Sequence, residues 1–309
     1  MGFRQTEGAN LMSAQKPVVL ITGTSSGFGK LFVEKFSRNG YSVFATMRGA
    51  AGKNAKSAEN LRAFAAQNSL DIHVEEMDVT DEASVNQCVT NVVTRVGQLD
   101  VVINNAGFAY VDVMEAITID QAKKIFDTNV FGVQRVMRAA LPQMHKQKSG
   151  LVMQISSGAG RVVFPSFGIY CASKFALEAI TEAYRYELAE SGIDCVSVEP
   201  GAYKTEIFGK IDRGDDSSRL ASYGSMQAVP GKLSDALTNS AADPQEVADL
   251  ALEIARTPFG KRQLRYRIGS GGPGVVEINK LTDQVQAQLL GAFGLAEITK
   301  QASSSSASA

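Results

Sequence analysis

Short apolar runs of strand length alternate with longer helical patterns along most of this sequence, and that alternation limits the folds open to it. The runs fall at Val18–Ile21, Val43–Ala45, Ile72–Val74, Leu99–Ile103, Leu151–Ile155 and Cys195–Val198. Several of their residues are β-branched, as suits strands buried on both faces. Helical periodicity lies between them at Lys30–Asn39, Glu82–Val96, Asp120–Lys146 and Gly168–Glu190. Strands joined by crossover helices pair in parallel, with right-handed connections. The expected architecture is therefore α/β, a doubly wound parallel sheet with helices on both faces.

A chain of 309 residues can hold one large domain of this kind or two small ones. The pattern favours a single domain over residues 16–290, with a disordered segment over 1–15 and a partly disordered tail over 291–309. The end of that tail, Ser303–Ala309, is of low complexity. Ala202–Asn239 holds Gly209, Gly214, Gly224, Pro230 and Gly231 with weak periodicity, and predicts a long mobile loop with short helices (about 202–240). Beyond it, Asp243-Pro244 opens a helix to about Arg256. Gln263–Ile268 suits a further strand and Gly269–Gly274 a Gly-rich turn.

Basic and acidic residues number 31 and 32, a net charge of −1, so nothing global favours nucleic acid or an anionic membrane. Cys88, Cys171 and Cys195 form no C-x-x-C pair, which suits a reducing, cytoplasmic setting. The only histidines, His73 and His145, are too few for most zinc sites, and no metal is expected. No apolar run approaches the ~18 residues needed to span a bilayer. The first fifteen residues lack a hydrophobic signal core, so secretion is not expected. Met1-Gly2 with Thr6 matches a myristoylation pattern, a short and weakly specific one.

The first strand runs into Thr22-Gly23-Thr24-Ser25-Ser26-Gly27-Phe28-Gly29, and a helix follows. Glycines let the backbone approach a pyrophosphate, and the helix N-terminus offers free N–H donors. An ordinary Gly-rich turn is the alternative, but the position after the first strand points to a dinucleotide. A carboxylate at the end of the second strand would bond a ribose 2′-hydroxyl, whereas an arginine there can accept a 2′-phosphate. The sequence has Ala45-Thr46-Met47-Arg48. NADP(H) is favoured, with NAD(H) not excluded; the competing reading of Arg48 is a solvated surface cation.

Tyr170 and Lys174 stand four apart in a helical segment and share a face. Free tyrosine, with a pKa of ~10, is a poor acid/base at neutral pH, and a nearby ammonium lowers that value. Ser157 follows the strand Leu151–Ile155, where a carboxyl end opens onto the ligand crevice. A hydroxyl there can bond a substrate oxygen as charge develops on it. A turn or cap role is the plainer reading of that serine.

Together these residues resemble the short-chain dehydrogenase/reductase family over roughly residues 17–205. The motifs fall in the family's order: the glycine loop, Asp78-Val79-Thr80, Asn104-Asn105-Ala106-Gly107, Asn129, Ser157, Tyr170-x-x-x-Lys174, and Pro200-Gly201 with Thr205. The glycine spacing matches the single-domain subgroup with a Rossmann sheet. Local sequence around Tyr170 and Arg48 is similar to that of hydroxysteroid and retinol dehydrogenases and carbonyl reductases. The resemblance implies that Tyr170 is the proton donor in reduction and that Ser157 polarises the carbonyl. It implies that Lys174 binds the nicotinamide ribose and depresses the tyrosine pKa, and that Asn129 holds a relay water. Asp78 and Val79 would contact adenine. Asn105, Ala106 and Gly107 would line the cleft, and Pro200, Gly201 and Thr205 would meet the nicotinamide end. A helix-kink role for Asn129 and a turn role for Asp78 stay open.

Two departures stand out: Phe28 replaces a usual aliphatic residue, and Ser26 a basic residue of many NADP users. The implied activity is hydride transfer between NADP(H) and a carbonyl or alcohol, in a homodimer or homotetramer. Phe164, Pro165, Phe167 and Phe208 hint at an apolar pocket, and Arg161–Phe167 with Ala202–Asn239 would set specificity. The apolar stripe of Phe175, Leu177, Ile180 and Leu188 could also pack against a partner subunit. An NAD(P)-retaining epimerase or dehydratase and a non-catalytic NADP sensor are the alternatives.

Overall fold

The computed structural model describes residues 15–204, 212–270 and 272–297. Its strands are β1 (Val18–Ile21), β2 (Ser42–Met47), β3 (Ile72–Glu76), β4 (Val101–Asn104), β5 (Gly150–Ile155), β6 (Ile193–Pro200) and β7 (Arg265–Ile268). The helices are α1 (Gly27–Arg38), α2 (Ala55–Asn68), α3 (Glu82–Val96), α4 (Ile119–Phe126), α5 (Gly132–Gln147), α6 (Gly168–Glu187), α7 (Val229–Thr238), α8 (Gln245–Arg256) and α9 (Gly272–Ala292). All strand pairs are parallel, in the order β3-β2-β1-β4-β5-β6-β7. The doubly wound sheet expected from the alternation is the one found. Its order reverses between β1 and β4, and such a switch point opens a crevice at the strands' carboxyl ends.

Successive strand residues point to opposite faces, and each face has its own helical layer. Val19 and Ile21 of β1 pack with Phe32 and Phe36 of α1 and with Val247 and Ala251 of α8. Val18 and Leu20 pack on the other face with Val85 and Val89 of α3 and Val136, Met137 and Ala140 of α5. Each of the larger of these side chains contributes about 1.5–3 kcal/mol by leaving water. The two layers hold the strand ends at fixed positions for the loops they carry.

Several elements differ from the periodicity. The helix expected over Asp120–Lys146 is two helices, with a π turn over Asp127–Phe131 between α4 and α5. No proline or glycine inside that turn signals it, and it carries the buried Asn129. Periodicity predicts neither α2 nor α9. Only Ala58 and Leu61 of α2 are buried, so its apolar stripe is thin. α9 starts inside the Gly269–Gly274 segment that reads as a turn. The region read as a mobile loop holds a 3-10 helix over Ser217–Ala228 and then α7. Leu177 and Leu188 belong to this subunit's own core, which removes them from the stripe expected to face a partner, while Phe175 stays exposed. Residues 1–14, Thr205, Phe208 and Ser303–Ala309 lie outside the described residues.

Candidate active site

The chain leaves β1 through Thr22 and enters α1 by way of the glycine loop. Gly23 and Gly27 hold φ of +71° and +57°, a region that disfavours side chains. A Cβ on Gly23 would lie 2.8 Å from the Ala106 Cα, and one on Gly29 would strike the Gly23 carbonyl oxygen. The Thr22 hydroxyl accepts the N–H groups of Asn105 and Ala106 at 3.0 and 2.9 Å. In return the Asn105 side-chain amide donates to the carbonyls of Thr22 and Gly23 at 2.9 and 3.1 Å. Thr24 is buried, and its hydroxyl donates to the Thr46 carbonyl at 3.1 Å, so this side chain anchors the loop to β2. Ser25 and Ser26 are partly open where the loop meets α1. No acidic residue stands in the first turn of α1, so its N-terminus stays electropositive. Phe28 packs edge-on against Tyr203 at 5.7 Å, a packing role for the departure noted above. A Cβ-free backbone facing a positive helix end fits the pyrophosphate of a dinucleotide.

Arg48 is exposed at the end of β2. The turn behind it is fixed by Glu76, whose carboxylate accepts the N–H groups of Gly49 and Ala50 at 2.6 and 2.7 Å. Asp78 accepts the Thr80 N–H and hydroxyl at 3.0 and 2.7 Å. Burial opposes its charge, yet those donors and the nearby Arg48 and Lys53 charges hold the carboxyl below its usual range. Lys53, which sequence reading does not single out, brings a second cation to this corner. Val79 is buried against Gly132, where a Cβ would come within 2.9 Å of its Cγ2.

Ser157, Tyr170, Lys174 and Asn129 converge beyond the end of β5. The Ser157 hydroxyl accepts the Ala159 N–H at 3.1 Å and lies close enough to the Tyr170 phenol to lower its pKa. Phe167 stacks on the Tyr170 ring at 4.3 Å, which fixes the ring plane. Lys174 is buried and donates from Nζ to the Ile155 carbonyl at 2.7 Å. Burial pushes the Tyr170 phenol up to about 12, against the lowering effect of Ser157. Burial also brings the Lys174 ammonium down to about 8, with Glu178 opposing. The sequence-based expectation has Lys174 depressing the tyrosine; in this geometry desolvation dominates the phenol and raises it.

Asn129 spends its side chain on structure. Its Oδ1 accepts the Phe108 N–H at 3.1 Å, and its Nδ2 donates to the Phe108 carbonyl at 3.0 Å and to Ser173 Oγ at 3.1 Å. Ser173 in turn donates to the Tyr170 carbonyl at 2.7 Å. Asn129 thus ties the Gly107 segment to α6, and Gly107 leaves it room, since a Cβ there would sit 3.1 Å from Oδ1. Pro200 and Gly201 close β6, and Gly201 donates its N–H to the Ile268 carbonyl at 2.8 Å. Thr22, Lys53 and Ser173 complete the geometry without having been chosen as site residues from sequence. Thr22 and Ser173 do lie inside quoted motifs; Lys53 gains its place only through folding, and Phe167, read as a pocket residue, instead stacks on Tyr170. Among the described residues, no group of His, Cys, Asp and Glu could hold a metal, and no helix is long and apolar enough to cross a membrane.

Fold and site define an oxidoreductase of the dinucleotide-binding α/β type. Residues 17–216 match the family model described as short chain dehydrogenase. An uncharacterized oxidoreductase of Bacillus subtilis, YusZ, is 36% identical over 264 residues, covering 83% of this chain and 90% of that protein. The NADPH-dependent 3-dehydrocapnine reductase of Ornithobacterium rhinotracheale is 32% identical, covering 77% of this chain and 84% of that one. A solved short-chain dehydrogenase from Streptomyces avermitilis superposes with a TM-score of 0.72 at 31% identity, covering 92% of this chain and 98% of that one. The chain belongs to the short-chain dehydrogenase/reductase family.

Proposed function

We propose that this oxidoreductase transfers hydride between NADP(H) and the carbonyl or alcohol carbon of an apolar substrate. The observation that carries the reading is the grouping of Ser157, Tyr170 and Lys174 at the end of β5, with the Lys174 nitrogen 5.7 Å from the centre of the phenol ring. When bound, the dinucleotide supplies the hydride. Gly23, Gly27 and Gly29 with the N-terminus of α1 would hold its pyrophosphate, and Arg48 and Lys53 its 2′-phosphate. Asp78 and Val79 would flank the adenine. A relative named as NADPH-dependent supports that choice of cofactor.

In the reductive direction Ser157 orients the substrate oxygen and Tyr170 gives it a proton. Lys174, held by the Ile155 carbonyl, stabilises the negative charge left on the phenolate once its proton has gone. Asn129 fixes the strand-end segment and the catalytic helix against each other, so the donors keep their positions. Met114, Val163 and Phe164 are exposed around the start of α6 and supply an apolar mouth. Phe175, exposed on α6, suits a homo-oligomer contact, and we read the enzyme as cytoplasmic.

The test follows absorbance of reduced nicotinamide with purified protein, NADPH or NADH, and a panel of aldehydes, ketones, steroids and retinoids. Consumption of NADPH with one substrate class, lost in Tyr170→Phe, is the expected result. Tight cofactor binding with no turnover across the panel would overturn it.

A further inference from the structure

Three side chains of α9 reach three segments that carry the site. Arg161, in the turn after Ser157, donates from Nη2 to Thr282 Oγ1 at 2.6 Å. Asn279 Nδ2 donates to Glu199 Oε2 at 2.8 Å, just before Pro200-Gly201. Asp283 Oδ1 accepts from Arg265 Nη1 at 2.6 Å. That same guanidinium donates to Glu182 at 2.7 Å and to Glu178 at 3.2 Å. Glu178 stands one helical turn beyond Lys174 and also accepts the Ser197 hydroxyl at 2.5 Å.

Asn279, Thr282 and Asp283 occupy one face of the helix, at i, i+3 and i+4. An ordinary surface helix buries an apolar stripe and leaves its polar face wet. α9 does the reverse: Leu281, Val285 and Leu289 are exposed, and among its described residues the one buried apolar side chain is Val275. Its docking therefore rests on polar contacts, which go to the side chains of Arg161 and Glu199, near Ser157 and Gly201, and to Arg265, which reaches Glu178 one turn beyond Lys174. A displacement of about 1 Å in such a constellation can cost ~10²-fold in rate.

We propose that α9 is a positioning element for the reaction, with Asn279, Thr282 and Asp283 holding the segments that carry Ser157, Gly201 and Lys174. The kinetic consequence rests on the hydride-transfer reading; the mechanical one does not. None of the three touches the reacting atoms. They act through Arg161, Glu199 and Arg265, and they are positioning residues.

The test is Thr282→Val against Thr282→Ser, read by amide hydrogen exchange over residues 157–162 and by steady-state kinetics. Thr282→Val is expected to speed exchange in that segment and lower kcat by about tenfold, a fraction of the loss from a full 1 Å shift. The dissociation constant for NADPH is expected to stay within about twofold, and Thr282→Ser to restore both readouts. Should the valine variant fail to fold, Thr282→Ala removes the hydroxyl without added bulk and carries the same expectations. Unchanged exchange overturns the tether, and faster exchange with unchanged kcat overturns its positioning role. Equal impairment in the serine variant removes the hydrogen bond as the cause. If the wild type transfers no hydride to any substrate, the proposed reaction fails instead, and exchange alone decides the tether.

Discussion

Lys174 stands one helical turn from Tyr170, with its ammonium nitrogen 5.7 Å from the centre of the phenol ring. Burial acts on both in opposite directions, raising the phenol to about 12 and lowering the ammonium to about 8. Reduction needs a protonated tyrosine and a charged lysine. The tyrosine keeps its proton across the working range, so the lysine sets the alkaline limb. A group with a lowered pKa loses its proton as pH rises through that lowered value. The reductive rate is expected to fall about tenfold per pH unit above about pH 8. Lys174→Arg, which stays charged, is expected to lack that limb at whatever rate it retains. A pH–rate profile that stays flat to pH ~10 would contradict the assignment.

Tyr170→Phe removes the proposed proton donor and keeps the ring that stacks on Phe167. Its kcat is expected to fall by about 10²–10⁴, the usual share of a positioned acid. NADPH affinity, measured by fluorescence titration, is expected to change by no more than about threefold, because the glycine loop and Arg48 lie elsewhere. A parallel loss of affinity would make Tyr170 a cofactor-binding residue first and an acid second.

The parts of this molecule legible in its sequence are those written locally. The doubly wound parallel sheet and the glycine loop follow from alternation and spacing, and Ser157, Tyr170 and Lys174 from strand-end and helix-face arguments. Lys53 reaches the Arg48 corner only because the Gly49 turn folds its side chain back, a turn geometry that its position in the sequence does not announce. The break at Asp127–Phe131 is hidden because the helical period continues through it. α9 is hidden for the opposite reason: its buried face is polar, so a search for apolar stripes passes over it. The sign of the tyrosine shift also escaped the sequence, because desolvation is a property of the folded site.

Arg48 and Lys53 predict cofactor choice. Both lie close enough to Asp78 to lower its pKa, and no carboxylate ends β2 itself. Arg48→Ala is expected to weaken NADPH binding by about tenfold or more, the value of a charged hydrogen bond, and to leave NADH within about twofold. Lys53→Ala is expected to give a smaller loss in the same direction. Isothermal titration with both cofactors checks this. Equal losses for NADPH and NADH would remove the 2′-phosphate from the role assigned to Arg48.

Glu199 predicts a dependence of stability on pH. Its carboxyl is fully buried, and burial together with the Glu178 charge pushes its pKa up to about 7. Glu182 and Asp283 add negative charge around the same Arg265, while Arg161 and Arg267 oppose it. Glu199 Oε1 and Asn279 Oδ1 are both buried without a hydrogen-bond partner, an arrangement that a proton on Glu199 would relieve. A group whose folded pKa is raised stabilises the fold below its unfolded value, and that contribution is lost as pH rises through the folded value. Wild-type stability is thus expected to fall between about pH 4.5 and pH 7 relative to Glu199→Gln, whose neutral amide keeps a donor at every pH. The variant is expected to be more stable by about 1–3 kcal/mol at pH ~8, with the gap closing below pH ~5. Thermal melts of both proteins across that range decide it. A gap independent of pH, or a less stable variant at the alkaline end, would mean that Glu199 is held ionised by Arg265 despite its burial.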